Sequence, residues 1–184
     1  TVFSVLRTNG QNIETVVQAG HYGEVTAVCY SPDGKFIVTA SSDKTIKLWR
    51  SSDGREIRTM RGSPSGISYV EMNREGTSLL SISDDGTIMI WDISSGKMIR
   101  QMKPDEDRFT CGSFHPDGLQ IIAGTRKSHI SLWNIQTGKK EMEFKAVPAN
   151  LYSDNGFDYS GSGSVSYSRD GQYIIAGVAD YTAI

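Results

Sequence analysis

Apolar and polar residues along this chain alternate in short clusters. Residues 25–60 contain four apolar-rich stretches, VTAVCYS, FIVTAS, TIKLWR and REIRTM, which are separated by turn residues. These stretches are short and rich in Val, Ile, Thr and aromatic residues, as is typical of β-strands. The pattern therefore predicts four short strands, a to d in chain order, and no convincing helical period occurs elsewhere.

This four-strand pattern repeats with a period of 42 residues. The Trp near the end of strand c returns at this interval, as Trp49, Trp91 and Trp133. The turn between strands a and b ends in Gly each time, at 31–34 (SPDG), 73–76 (NREG), 115–118 (HPDG) and 168–171 (SRDG). Pro presets the backbone of such a turn and Gly accepts positive φ, so the recurrence predicts the same tight turn in four units.

A single four-stranded sheet of this size cannot bury both of its faces. Stacking several copies face to face around an axis buries them, and this is the β-propeller. We predict an all-β propeller with four-stranded antiparallel blades and about four blades' worth of chain. The predicted segments are the end of a preceding blade (1–19), three full blades (20–61, 62–103 and 104–145), an insertion loop (146–163) and a partial blade (164–184).

Both ends of the chain fall inside a predicted strand c, since Thr1 and Thr182 each correspond to Thr45. The chain is then a fragment of a larger propeller, of which about four to eight blades are typical. Alternatively, strands at 2–6 and 12–18 join the last strands, closing a four-blade ring or an eight-blade ring of two chains. The sequence favours the fragment, and we expect self-association through its open blade edges.

Particular residues of the repeat resemble a known family. Gly20-His21, Asp43 and Trp49, with Trp91-Asp92 in the second unit, resemble a WD40 repeat, and the resemblance covers nearly the whole chain. It implies a hydrogen-bonded tetrad that links strands b and c to the loop before strand a. In the first unit the tetrad is His21, Thr39, Asp43 and Trp49. The chemistry is reasonable, because a buried indole N–H needs an acceptor and Asp can orient the imidazole.

The tetrad becomes less complete along the chain. Its matching residues are Ser81, Asp85 and Trp91 in the second unit, and Trp133 in the third. Ser63 stands in place of His in the second unit, and Ala123 and Lys127 replace the hydroxyl and the acid in the third. We therefore predict that the third unit depends more on apolar packing than on this network.

The resemblance also implies a partner-binding face beside the His and just before the turn acid. Its members by position are Tyr22, Glu24 and Ser42 in the first unit, Pro64, Gly66 and Asp84 in the second, and Glu106, Arg108 and Arg126 in the third. Their charge changes from acidic toward mixed and basic, which favours a patterned peptide or protein partner. The alternative for each is an ordinary solvated surface residue.

One segment breaks the period. The turn Gly of the fourth unit follows that of the third by 53 residues instead of 42, and the excess lies in the insertion loop 146–163. Insertions of this kind are often on the binding face, and the loop's aromatic residues, Tyr152, Phe157 and Tyr159, suit a protein contact. Rings that pack on their own blade are an equal alternative. A calcium site through Asp154, Asn155 and Asp158 lacks EF-hand spacing.

Composition and charge narrow the classes of partner. The net charge is −2 with a pI of about 5.9, and no block of Lys or Arg occurs, so neither nucleic acid nor an anionic membrane is expected as a partner. No apolar run has membrane-span length, and the start lacks a signal-peptide layout. Localisation stays open, with the cytoplasm favoured. Cys29 and Cys111 read as reduced core thiols.

Catalytic and cofactor motifs are missing from the sequence. Each Gly-Lys pair lacks the rest of a phosphate loop, and the three histidines fall at different positions of the repeat, so we expect no cofactor and no metal. A triad of His21, Asp43 and Thr39 would need an exposed nucleophile. We predict a non-catalytic scaffold for protein–protein contacts. The alternative is a regulatory or sensing propeller module of a larger multidomain enzyme.

Overall fold

The computed structural model describes residues 2–9, 12–103, 107–145 and 162–178. Every regular element within these ranges is a β-strand. No helix long and apolar enough to cross a membrane occurs among them. The prediction of an all-β chain is confirmed.

Sixteen strands follow one another along the chain. They are β1 (Val2–Asn9), β2 (Asn12–Ala19), β3 (Val25–Tyr30), β4 (Phe36–Ser41), β5 (Thr45–Arg50), β6 (Glu56–Arg61), β7 (Ile67–Met72), β8 (Ser78–Ser83), β9 (Ile88–Asp92), β10 (Met98–Met102), β11 (Phe109–Phe114), β12 (Gln120–Thr125), β13 (His129–Asn134), β14 (Lys140–Lys145), β15 (Ser162–Tyr167) and β16 (Ile174–Val178).

These strands form three four-stranded sheets, β3 to β6, β7 to β10 and β11 to β14, and two two-stranded sheets, β1–β2 and β15–β16. Neighbouring strands are antiparallel and follow chain order, so each unit is a simple meander. The four-stranded antiparallel blades are therefore confirmed. The division of the chain at the predicted blade boundaries stays a prediction, because 104–106 and most of the insertion loop lie outside the described residues.

The hydrophobic core lies between successive sheets. Val38 and Leu48 of the first four-stranded sheet share one core with Met72 and Trp91 of the second. A second core joins Leu80 and Ile90 of the second sheet to Phe114 and Trp133 of the third, and a third core joins Ile122 to Val165 and Ala176 of the last pair of strands. Each strand c Trp in these cores thus faces the preceding sheet.

Stacking on both sides explains the nearly continuous apolar strands. Leu79 and Leu80 are adjacent in β8 and both fully buried, yet they belong to different cores. Successive side chains of a strand point to opposite faces, so a strand covered on both faces is apolar at both parities. Strand a of each unit contacts strand a of the next, which makes β7, β11 and β15 neighbours at the inner side of the stack.

An arginine on strand d joins each of the first two four-stranded sheets to the next one. The guanidinium of Arg58 donates to the carbonyl oxygens of Ser94 (2.7 Å) and Ser95 (2.6 Å) in the c–d turn of the second sheet. Arg100 donates in the same way to Ile135 O (3.2 Å) and Gln136 O in the third sheet. The equivalent position in the third sheet is Met142, which is exposed. These charge-assisted bonds hold the outer strands of adjacent sheets together.

Candidate functional site

The loops before strand a and the b–c turns meet at one end of the sheets. Together they form the loop face, made of residues 20–24 and 42–44, 62–66 and 84–86, and 107–108 and 126–128. One backbone hydrogen bond ties loop to turn in each unit: Ser42 N to Glu24 O (3.0 Å), Asp84 N to Gly66 O (2.7 Å), and Arg126 N to Arg108 O (3.1 Å). The backbone frame of this face is therefore common to the three units.

The first unit brings its four predicted tetrad residues together. Trp49 Nε1–H donates to Thr39 Oγ1 at 2.8 Å, and Thr39 Oγ1 lies 2.8 Å from Nε2 of His21. His21 Nδ1 lies 3.0 Å from Oδ2 of Asp43. An ionised carboxylate only accepts, so we assign the imidazole proton to Nδ1 and a donated Thr39 hydroxyl proton to Nε2. The chain of donors thus runs from the indole to a neutral imidazole.

Asp43 also anchors the backbone of the loop face. Its carboxylate accepts hydrogen bonds from Tyr22 N (2.9 Å), from Thr45 N (2.9 Å) and from Thr45 Oγ1 (2.6 Å). Desolvation by burial raises the pKa of Asp43, but the bonds from Thr45, Tyr22 and His21 outweigh it and hold the pKa well below its ordinary value. Burial lowers the pKa of His21 in spite of Asp43, which favours the neutral ring.

In the second unit the network divides into two parts. Trp91 Nε1–H donates to Ser81 Oγ at 2.8 Å, which supplies the indole with an acceptor. Asp85 is bonded separately, to Ser83 Oγ (2.5 Å) and Thr87 N (3.0 Å). The Ser65 hydroxyl accepts from Asp85 N at 3.1 Å, so it replaces the link between loop and turn. Sequence reasoning had not identified Ser65.

In the third unit the indole uses an acceptor that sequence reasoning missed. Trp133 Nε1–H donates to Ser131 Oγ at 2.8 Å, two residues earlier on the same strand. The Phe109 ring stands edge-on to the indole, with centroids 5.8 Å apart and an interplanar angle of 88°. The available signal was the strand period of two, which places Ser131 on the same face as Trp133. Greater dependence of this unit on apolar packing stays a prediction.

The third unit also takes its acid from the opposite side of the contact. Asp107, in the loop before strand a, accepts from Lys127 N at 2.6 Å and from Arg108 N at 2.7 Å. Burial raises the pKa of Asp107, but these backbone N–H groups lower it overall. Lys127 stands where Asp43 stands in the first unit, so the acid has moved from turn to loop while the link persists.

The predicted partner-binding residues within the described ranges are exposed side chains on the loop face. Tyr22 is 95% exposed. The others with exposed side chains are Glu24, Ser42, Pro64, Asp84, Arg108 and Arg126, while Gly66 is buried. Glu106, Tyr152, Phe157 and Tyr159 lie outside the described residues.

Close contacts make the loop face continuous across the three units. A Cβ on Gly66 would collide with Oδ2 of Asp84 and lie 3.2 Å from Cα of Ser42, so Gly66 fills the gap between two b–c turns. Arg108 Nη1 donates to Asp84 O at 3.2 Å. Lys44 Nζ donates to the carbonyl oxygen of Pro64, also at 3.2 Å. Acidic residues of the first two units thus adjoin basic residues of the third.

The tetrad is not arranged for nucleophilic chemistry. Thr39 is fully buried and its oxygen is bonded to both the indole and the imidazole, so it offers no exposed nucleophile. Among the described residues, no group of three or more His, Cys, Asp and Glu side chains could hold a metal ion. Cys29 and Cys111 are free thiols, and burial raises the pKa of both, to about 11 for Cys29.

Four-stranded antiparallel sheets stacked face to face, each with a buried Trp on its third strand, are blades of a β-propeller. The WD40 family, described as "WD domain, G-beta repeat", matches residues 12–50, 54–92 and 96–134. These three matches cover more than half of the chain. The chain belongs to the WD40 repeat family.

Curated relatives match a much shorter stretch. The ribosome biogenesis protein BOP1 homolog of Drosophila ananassae is 46% identical over 48 residues, which is 26% of this chain and 6% of the relative. The homolog of Drosophila grimshawi is 44% identical over 48 residues, with the same coverage. The match thus spans 6% of the length of these relatives.

Proposed function

We propose that this chain is a non-catalytic scaffold that binds a protein or peptide partner on its loop face. The observation that carries the proposal is the continuity of this exposed face across three units with a change of charge along it. Glu24 and Asp84 lie on the first two units, and Arg108 and Arg126 lie on the third. A partner that presents a basic group near an acidic one would match this arrangement in a single orientation.

Tyr22 is the best candidate for the central anchor. Its side chain is 95% exposed, while its backbone N–H is fixed by Asp43 at 2.9 Å. Tyr and Arg are the residue types that most often carry binding energy in protein interfaces. Because Asp43 is held in turn by His21, the buried tetrad acts as a rigid support for the binding residues. Such preorganisation lowers the entropic cost of binding.

The relatives support the repeat and do not identify a partner. Their name refers to ribosome biogenesis, but the aligned 48 residues are little longer than one repeat. Fold and repeat are shared by proteins of many functions. The proposal therefore rests on the loop face and names a class of partner, a folded protein or peptide.

Quantitative affinity purification tests the proposal with two pairs of matched variants. Tyr22→Ser and Arg126→Glu alter the loop face, and Tyr173→Ser and Arg55→Glu make the same changes at exposed residues elsewhere. We expect a protein that is retained by the wild type and by both controls but lost from both loop-face variants. The same protein, once purified, should bind the wild type and controls with equal affinity in calorimetry. Equal retention by all five chains would refute the proposal.

A further inference from the structure

A cleft lies at the end of the sheets opposite the loop face. Each strand a starts at the loop face and ends at its a–b turn, so the a–b turns gather at the other end. Those of the last three units form an open cleft of about 360 Å³. Its wall includes Met72, Arg74, Phe114, Pro116, Tyr167 and Arg169.

The walls of this cleft are packed against one another. The rings of His115 and Tyr167 meet edge to face, with centroids 4.9 Å apart and an interplanar angle of 86°. Gly171, with φ of 73°, lies directly against the His115 ring, which leaves no room there for a Cβ. Strands β7, β11 and β15 contact in succession beneath the turns. The cleft is therefore built from three units whose relative position is set by packing.

Two arginines line the cleft with their charges unpaired by the rest of the described chain. Arg74 and Arg169 hold the same position in their a–b turns, and both are exposed. Neither makes a side-chain hydrogen bond or ion pair with any described residue. The acids of these turns do not line the cleft and bond their own turns, as Asp170 does to Gln172 N at 3.1 Å and Asp117 to Leu119 N at 2.8 Å.

Glu71 is the acid that lines the cleft among the described residues, and its carboxylate is already satisfied within the protein. One oxygen accepts from Ser113 Oγ (3.0 Å) and Phe114 N (3.1 Å), and the other from Tyr69 Oη (2.8 Å). Desolvation by burial raises the pKa of Glu71 in spite of these bonds. Its carboxylate therefore serves as an internal link between two sheets and leaves both arginines unpaired.

We propose that this cleft binds an acidic peptide segment, in an interaction separate from the loop-face partner. Carboxylates of the peptide pair with Arg74 and Arg169, whose planar donors match a carboxylate in two-bond geometry. Apolar side chains of the peptide lie on Met72, Phe114 and Pro116. A mixture of apolar wall and guanidinium groups fits a peptide with alternating acidic and apolar residues better than a small inorganic anion, which would leave the apolar wall uncovered.

Fluorescence polarisation of a labelled peptide tests this proposal on the 184-residue chain. The probe is a short peptide of alternating Glu and Phe, and its control has Gln in place of every Glu. Arg74→Gln and Arg169→Gln are combined in one chain, and Arg55→Gln is the matched control at an exposed site that does not line the cleft. All three arginines are exposed, so we expect unchanged folding, checked by circular dichroism.

We expect the double variant to raise the Kd for the Glu–Phe peptide at least about tenfold, since two charge-assisted contacts are lost. Arg55→Gln and Tyr22→Ser should leave the Kd unchanged, which separates this cleft from the loop face. Equal binding by the double variant and the wild type would overturn the proposal, and so would equal binding of the Gln–Phe peptide or no binding of the Glu–Phe peptide to the wild type. Displacement of the peptide by inorganic phosphate at matched ionic strength would also overturn it, because the cleft would then be a general anion site.

Discussion

Replacing Thr39 by Val removes the central hydroxyl of the buried tetrad and keeps the shape of the side chain. Thr39 accepts from Trp49 Nε1–H at 2.8 Å and contacts His21 Nε2 at 2.8 Å. Thr39 and Trp49 are fully buried and His21 is 4% exposed. The substitution thus leaves one buried donor and one buried acceptor without a partner, and it creates no cavity.

The expected cost follows from these two groups. A buried polar group left unpaired costs about 1–3 kcal/mol, so the limits for Thr39→Val are about 2–6 kcal/mol. We expect about 2–4 kcal/mol, because His21 lies at the edge of the loop face and a small shift would give it access to water. Ser81→Ala in the second unit leaves only the Trp91 indole unpaired and should cost about half as much.

Urea unfolding followed by circular dichroism measures the total effect. Hydrogen exchange of β4 and β5 amides shows whether the loss is local, which matters because stacked units do not always unfold in one step. Protection should fall in β4 and β5 for Thr39→Val, and in β8 and β9 for Ser81→Ala. A Thr39→Val chain with the wild-type midpoint and wild-type exchange in β4 and β5 would show that the tetrad carries no stability.

Three further predictions concern neighbouring features. Burial lowers the pKa of His21 below 6.5, so the unfolded chain binds this proton more tightly; the urea midpoint should fall as the pH drops below 6.5, and His21→Gln should flatten that dependence. Gly20→Ala places a Cβ 2.6 Å from Cη2 of Trp49 and should cost about 1–3 kcal/mol in thermal unfolding. Arg58→Met removes two hydrogen bonds to the next sheet and should cost about 1–2 kcal/mol by urea unfolding, with faster exchange in the adjoining sheet.

Matched substitutions control the last two predictions. Gly163→Ala adds the same methyl group where the nearest described atom is 3.9 Å away, so it should be nearly neutral. Arg55→Met removes an exposed guanidinium and should change stability by less than about 0.5 kcal/mol. Equal effects in test and control would contradict the assigned contact. For His21, the same slope of midpoint against pH in wild type and His21→Gln would assign the effect to another group.

Local sequence signals predicted the strands and turns well. The predicted strand FIVTAS is β4 and TIKLWR is β5, and the predicted a–b turns each end in a Gly with φ near 70°. Turn chemistry and strand periodicity depend on residues close in sequence, so they can be read without knowing the fold. The repeat then extended this local pattern to units with weaker signals.

Partners across the stack were less accessible to sequence reasoning. The same tetrad position holds Thr39 in the first unit and Ala123 in the third, which suggested an indole without this acceptor. Ser131 supplies the acceptor instead, and Asp107 supplies the acid from the other side of the contact. Position within the repeat could not identify these substitutes, because a hydrogen bond requires proximity and any polar group nearby can satisfy it.

The sequence by itself determined the all-β class, the period of 42 residues and the position of each Trp on strand c. Only the tertiary structure decided which atoms meet between units: the strand d arginine on the next sheet's turn carbonyls, the continuous loop face, and the cleft between Arg74 and Arg169. The physical reason is range. Strand and turn preferences act over a few residues, whereas these contacts join segments about one repeat apart or more, and their geometry exists only when the sheets are stacked.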